Sequence, residues 1–409
     1  MEEMHIDLEG FVRRDKYLRF IAEFIDKPVI KVLVGMRRVG KSVLMKLIIN
    51  DLLKKNIPLK NILYINKESL YFDNIKDYND LYDYAKSYFK GLKKKYIFID
   101  EVQEIEGWEK AVTSFMAEGG FDIYISGSNA NMLSSELATL LSGRYIEVPV
   151  YPLKFSEFLQ FREKYIDIDV EFRNYLKYGG LPGIHYLSFK DEVVFGFLNS
   201  ILNTILYKDV ISRNKIREVG KLDKIIKYLF DNIGNITTAK RIKDYFKSQG
   251  VTISVDTVVE YLKCLEASML LDIVPRYDLK GKKVLEFYDK VFINDIGLRH
   301  GLIGYKERDI NGILENIVYK ELQSRGYEVN IGVFDNVEID FCAEKQNEKM
   351  YVQVCLSLAD ENVIRREFGN LQKIKDNYEK IVVSMDRFFP EEIEGIRHRY
   401  LLDFLLDNK

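Results

Sequence analysis

Ile30-Lys31-Val32-Leu33-Val34-Gly35-Met36-Arg37-Arg38-Val39-Gly40-Lys41-Ser42 is the stretch on which the fold turns. Ile30–Val34 reads as a short apolar strand, Gly35 to Ser42 fits G-x-x-x-x-G-K-[ST], and the periodicity of Ser42–Lys54 reads as a helix. Chemistry explains the pattern. Glycines let backbone N–H groups close round phosphate oxygens, and the helix N-terminus adds positive potential. Lys41 reaches the β- and γ-phosphates, and the Ser42 hydroxyl suits magnesium. Gly35, Met36, Arg37, Arg38, Val39, Gly40, Lys41, Ser42 and Val43 are therefore the expected cradle of a nucleoside triphosphate. A glycine turn with an incidental lysine is the competing reading, and the strand-then-helix context disfavours it.

Outward from this loop, strand-like runs alternate with amphipathic stretches. Ile62–Ile65, Tyr96–Ile99 and Ile123–Ile125 are the runs, and Tyr78–Lys90 and Trp108–Glu118 the helical stretches. Strands too apolar to have a wet face predict a parallel sheet covered on both sides. The site's second half is expected at the tip of a neighbouring strand, and Asp100-Glu101 supplies it: Asp100 for magnesium, Glu101 to polarise the attacking water. Ser126, Ser128 and Asn129 end the next strand and are candidates for a polar group near the γ-phosphate, although turn chemistry alone accounts for all three. Arg144 reads either as a surface arginine or as a finger completing a neighbouring subunit's site.

Beyond Tyr151-Pro152-Leu153 the pattern becomes helical over Phe155–Lys164, Val170–Tyr178 and Glu192–Val210, broken at Gly179-Gly180-Leu181-Pro182-Gly183. This predicts a helical lid at 151–217, after an α/β core at 1–150. Residues 218–308 give three helical segments and two strands, Leu270–Tyr277 and Val284–Phe287. That is the order of a winged helix-turn-helix, with Ser254 as a helix cap and Gly281 at the hairpin turn. Residues 309–409 read as a separate α/β module: helix Ile313–Ser324, strands Tyr327–Ile331, Val337–Ala343 and Met350–Cys355, helix Ala359–Lys375 and strand Lys380–Ser384.

The 409 residues carry 61 basic and 63 acidic side chains, a formal charge of -2, so bulk charge predicts no polyanionic partner. Any such partner needs a local patch. Cys264, Cys342 and Cys355 have neither disulfide nor zinc spacing, which points to a reducing cytoplasm. The first seven residues lack a signal-peptide pattern and no run is apolar enough to span a membrane, so a soluble cytoplasmic protein is expected.

The phosphate-loop motif Gly35 to Ser42, Asp100-Glu101-Val102-Gln103, Ser126-Gly127-Ser128, Gly143-Arg144 and the Tyr151 to Phe158 segment together resemble one family. It is the AAA+-like P-loop ATPases of archaea and bacteria that carry a C-terminal domain of unknown function with a restriction-nuclease-like fold. The resemblance covers nearly the whole chain. It implies ATP as ligand, Arg144 as finger or sensor, and Pro182 as a lid residue near the adenine; a helix-breaking turn is the plainer reading of Pro182.

Restriction-type nucleases place an Asp at the end of one strand, a Glu or Gln on the next two residues before a Lys, and a Glu on the preceding helix. Asp340, Gln353 and Glu315 match, but Cys355 stands where the lysine belongs. A thiol gives no fixed positive charge to a pentavalent phosphate, so this degenerate site is expected to be inactive unless Lys345 or Lys349 fills the gap. Lys221, Lys224 and Lys227, then Lys240, Arg241 and Lys243, and Lys280, Lys282 and Lys283 form basic groups in the winged-helix segment. Its third helix carries Asp256 and Glu260 against Lys263, which opposes groove binding. The expectation is an ATP- and magnesium-dependent AAA+ ATPase that couples nucleotide state to homo-oligomeric assembly or to its hold on DNA or a protein. A slow signalling switch and an ATP-dependent metal nuclease are the rivals.

Overall fold

Strand β1, Ile30–Val34, buries all five of its residues, as expected of a strand without a wet face, in the computed structural model, which describes residues 10–130, 141, 143–162, 165 and 167–407. It runs into helix α2, Lys41–Lys54. Helix α1, Asp15–Ala22, precedes it and buries Tyr17, Leu18 and Ile21; the sequence reading did not include it. Next come β2 (Ile62–Asn66), α3 (Tyr78–Tyr88), β3 (Lys95–Asp100), α4 (Trp108–Glu118), β4 (Phe121–Gly127) and β5 (Tyr145–Pro149).

These strands are parallel, in the order β2-β3-β4-β1-β5. Parallel neighbours need long crossovers, and α2, α3 and α4 provide them. One expectation changes: β3, which ends in Asp100, is not next to β1, because β4 lies between them. Ile97, Ile99, Ile123 and Ile125 join Val112 and Phe115 of α4 in the core. Lys31 is also fully buried there, and its ammonium is neutralised by Asp122 of β4, which also accepts from the Tyr124 hydroxyl at 3.0 Å. Burial pushes the Lys31 pKa down, with Asp122 opposing it.

Two compact units divide the chain, residues 1–151 with 267–269 and residues 152–266 with 270–409. In the second, α5 (Phe155–Phe161) and α6 (Ile168–Tyr178) lead to a 3-10 turn, Pro182–Tyr186, and to α7 (Asp191–Thr204), which continues as a π-helical segment to Ser212. The helical pattern expected to end at Lys164 stops at Phe161; residues 163 and 164 lie outside the described ones, as does the segment read for a signal peptide. Helices α8 (Val219–Asp231), α9 (Ala239–Ser248) and α10 (Val255–Ala267), with the short strand β6 (Ile236–Thr237), precede the hairpin β7 (Leu271–Asp278) and β8 (Lys283–Ile293). Ser254 caps α10 by accepting the Thr257 N–H at 3.0 Å. At the hairpin turn the left-handed conformation falls on Lys282 (φ 50), not on Gly281.

The chain closes with α11 (Ile296–Ile303), α12 (Ile310–Ser324), β9 (Glu328–Phe334), β10 (Val337–Lys345), β11 (Glu348–Val354), α13 (Glu361–Gln372), β12 (Glu379–Ser384), β13 (Glu392–Ile393), β14 (Ile396–Tyr400) and α14 (Leu401–Leu406). β13, β14 and α14 were not expected, since Ile396-Arg397-His398-Arg399-Tyr400 is too polar to stand out as a strand. A mixed sheet runs β13-β14-β12-β11-β10-β9-β7-β8-β6. β7 pairs with β9 through Arg276 and Ile331, so strands on both sides of the expected boundary at 308/309 share one sheet.

Asp295 ties α11 to the Gly179-Gly180 break. Its buried carboxylate accepts the Gly180 N–H at 2.7 Å and caps α11 through the Leu298 N–H at 3.2 Å. Burial lifts its pKa to about 6, against these N–H groups, which lower it. The folded state therefore takes up a proton between about pH 4 and 6 that the unfolded chain does not, and this contribution is lost as pH rises through 6. Asp295→Ala leaves two buried N–H donors unpaired and should cost about 3 kcal/mol. Denaturant unfolding followed by circular dichroism should give a larger gap from wild type at pH 4 than at pH 7.

Candidate functional site

The loop between β1 and α2 is shaped by what it lacks. A Cβ on Gly35 would lie 2.3 Å from the Val150 carbonyl oxygen, so only glycine lets the chain leave β1 this closely. Gly40 has φ 101, a left-handed geometry that turns the chain into α2. α2 has no side-chain cap and no acidic residue in its first turn. A helix start with neither a side-chain cap nor an acidic first turn suits an external anion. The Lys41 ammonium is 4% exposed and donates to the carbonyls of Gly35 at 2.8 Å and Met36 at 3.1 Å. From beneath, the buried Arg14 guanidinium donates to the Val39 carbonyl at 3.2 Å and to the Tyr151 carbonyl at 2.9 Å, which braces the loop.

β3 and β4 end at the same edge of the parallel sheet as β1. Asp100, at the tip of β3, accepts from the Tyr64 hydroxyl at 2.9 Å on one oxygen and from the Ser126 hydroxyl on the other. Burial, followed by the Asp100 charge, raises the Tyr64 pKa far above its ordinary value and keeps the phenol a donor. Ser126 also accepts the Glu101 N–H at 3.1 Å, so it holds both acids in place. Glu101 adopts φ 57, ψ 53, a left-handed conformation rare for a residue with a side chain and typical of strained functional positions. Its carboxylate lies 3.8 Å from the Lys41 ammonium, accepts from Ser128 at 3.3 Å, and is held by the Gln103 amide. The other amide atom, Gln103 Oε1, is buried with no partner among the described residues.

The residues expected to share a site are thus brought together in part. Lys41, Glu101 and Ser128 meet directly, with Asp100 beside them, whereas the roles of Tyr64 and Gln103 went unread. A tyrosine on an apolar strand reads as core, and Gln103 entered only as part of a motif. Arg144 is exposed and is not brought to its own chain's loop. Its carbonyl accepts the Ile30 N–H at 2.9 Å, at the start of β1, whereas the loop follows the end of β1. Five strand residues span about 16 Å, more than an arginine side chain reaches. Pro182, in the second unit, opens the 3-10 turn there as the plainer reading has it.

In the tail, the matching residues also converge, with one addition. Asp340 accepts the Val354 N–H at 2.8 Å, and its own N–H donates to Gln353, whose amide donates to Glu367 at 2.7 Å. The cation there is neither expected lysine. Lys345 donates to the Arg325 carbonyl and Lys349 pairs with Glu344. Lys290 of β8 occupies the cluster instead, 3.1 Å from Glu315, 2.9 Å from Glu338 and 3.9 Å from Asp340. Burial opposes its charge, yet the three carboxylates outweigh burial and raise its pKa. Burial also lifts the carboxyls of Asp340 and Glu315 above their ordinary range. Cys355 is buried, and burial pushes its thiol up to about 12, so it adds no charge. No helix among the described residues is long and apolar enough to cross a membrane.

Known proteins resemble this chain over most of its length. Residues 27–159 match a family model described as an AAA domain, and residues 169–309 match one described as a domain of unknown function. An uncharacterized protein of Haemophilus influenzae is 38% identical over 404 residues, covering 97% of this chain and 99% of that one. The uncharacterized protein MJ1544 of Methanocaldococcus jannaschii is 31% identical, covering 85% of this chain and 79% of its own. Among solved structures, a Walker-type ATPase of Pyrococcus abyssi aligns with a TM-score of 0.47 at 15% identity, over 73% of this chain and 99% of that one.

Lys290→Met would leave Glu315 and Asp340 without a cation and Glu338 with only Arg276, at 4.0 Å. At pH 7 this should cost about 3–5 kcal/mol, the usual price of breaking a buried pair. The folded-state pKa values of Glu315 and Asp340 are already raised, so proton uptake on lowering the pH favours the folded form. Thermal melts should therefore show a smaller deficit at pH 5 than at pH 7.5.

Proposed function

Because the chain belongs to the family of the Haemophilus influenzae and Methanocaldococcus jannaschii proteins that it matches, and its residues 27–159 match an AAA domain, we propose that it binds ATP, hydrolyses it, and couples nucleotide state to assembly and to its hold on nucleic acid. The observation that carries the reading is the 3.8 Å approach of the Lys41 ammonium to the Glu101 carboxylate, above a helix start left uncapped. Lys41 exchanges the Gly35 and Met36 carbonyls for phosphate oxygens when the nucleotide enters. The N–H groups from Gly40 to Val43 bind the phosphates, and the remaining loop residues Met36, Arg37, Arg38 and Val39 form the wall.

Ser42 and Asp100 offer hard oxygen donors that fit magnesium, and each Asp100 oxygen keeps a lone pair beyond its hydroxyl partner. When bound, magnesium supplies neutralisation of phosphate charge. Glu101 takes the proton of the attacking water and orients it, and the unpartnered Gln103 Oε1 beside it is a second acceptor for that water. Ser128 holds Glu101 in place. Arg144, too far from its own loop, serves the site of an adjoining copy, which makes the active form an oligomer. Pro182 belongs to a helical module, residues 151–217, that acts as a lid. Residues 218–308 act as a winged-helix module, and the tail is a nuclease-like scaffold whose cluster Lys290 has closed to catalysis.

Three variants test these roles. Glu101→Gln should keep ATP affinity within about threefold while turnover falls by about a hundredfold or more; unchanged turnover removes Glu101 from the reaction. Tyr64→Phe frees one oxygen of Asp100 and should raise the magnesium concentration needed for half-maximal rate by severalfold, with ATP binding in the absence of metal unaffected. Arg144→Ala chains mixed with Glu101→Gln chains should regain turnover that neither has alone, since a site with Glu101 then meets a neighbour with Arg144. A mixture no more active than its parts contradicts action between subunits.

A further inference from the structure

α8 and α9 border a groove of about 950 Å3, lined by Tyr228 and Tyr245, by Lys224, Lys227 and Arg241, and by Lys306 beyond α11. α9 turns Ile242 and Phe246 into the core and leaves Tyr245 45% exposed. The two tyrosine rings lie 4.7 Å apart, tilted by 46°. Arg241 is fixed at the groove by donating to the Ile236 carbonyl at 3.0 Å. The lining also holds Asp231 and Asp244; Lys306 pairs with Asp231 at 2.9 Å and Lys227 with Asp223 at 2.8 Å, which leaves Lys224 and Arg241 against Asp244, a positive balance. By contrast, the exposed face of α10 presents Asp256, Glu260 and Glu266 against Lys263, which repels phosphate.

We infer that this groove, and not α10, binds a single-stranded nucleic acid. Unpaired bases offer flat faces to Tyr245 and Tyr228, and the strand's phosphates meet Lys224, Lys227 and Arg241. A duplex hides its base faces in its own stack and cannot use the tyrosines. The inference deepens the reading that nucleotide state governs a hold on nucleic acid, but its test does not pass through the ATP site.

Fluorescence anisotropy with labelled oligothymidylate of about 16 nucleotides tests it, beside a duplex of equal length. The single strand should bind at least about tenfold tighter than the duplex. Tyr245→Ala should weaken it by about tenfold and Tyr245→Phe by much less, as stacking requires. Arg241→Glu should weaken binding and flatten its salt dependence. Melting temperature and ATP turnover should stay at wild-type values in all three. Equal binding by Tyr245→Ala and Arg241→Glu, preference for the duplex, or no strand binding overturns the inference. So does displacement of the strand by micromolar thymidine monophosphate, which would make the groove a mononucleotide pocket. No strand binding by the wild-type chain with its turnover intact sinks this inference alone; no turnover by the wild-type chain with strand binding intact sinks the ATPase reading alone.

Discussion

The Val150 carbonyl oxygen stands where a side chain on Gly35 would have to go, 2.3 Å from the position of its Cβ. Much follows from that contact. Because Gly35 has no side chain, β1 can pass into a loop that folds back beside β5, and the loop can deliver the uncapped start of α2 to the sheet edge where Asp100 and Glu101 end β3. Arg14 supports the same loop from below through the Val39 carbonyl. Backbone donors, one ammonium and two carboxylates thus meet at one edge, although they come from separate parts of the chain.

Within that edge the acids are held by groups that do no chemistry themselves. Ser126 bridges Asp100 and the Glu101 backbone, and Tyr64 holds Asp100 from β2. Such bracing matters because Glu101 sits in a left-handed conformation, which surrounding bonds must sustain. The tail cluster inverts this economy. There Lys290 lies among three carboxylates and occupies the place between them that an external cation would take.

How far the sequence could be read depended on the range of the interactions involved. The strands of the first unit were legible because each is a buried, β-branched run with a helix between, and the acidic pair was legible because it ends such a run. Strand order was not, since nothing local to β3 records that β4 separates it from β1. Tyr64 looked like core, and only its hydroxyl, aimed at Asp100, gives it a role. In the tail the element order was readable, and Asp340 and Gln353 do converge. Lys290 was not, because it comes from the hairpin β7–β8, whose pairing with β9 is a long-range event. Arg144 stayed ambiguous in sequence, and its carbonyl's bond from the Ile30 N–H places it at the start of β1, at the end of the strand away from the loop.

The central claim is that the loop from Gly35 to Ser42 and the acids beside it turn over ATP. Phosphate release from ATP and magnesium by the wild-type chain, set against Lys41→Ala, tests this most directly. The account predicts release by wild type and loss of it in the variant, with the melting temperature unchanged in the absence of nucleotide. Equal release by the two proteins, or none by wild type at concentrations that let it assemble, would contradict it.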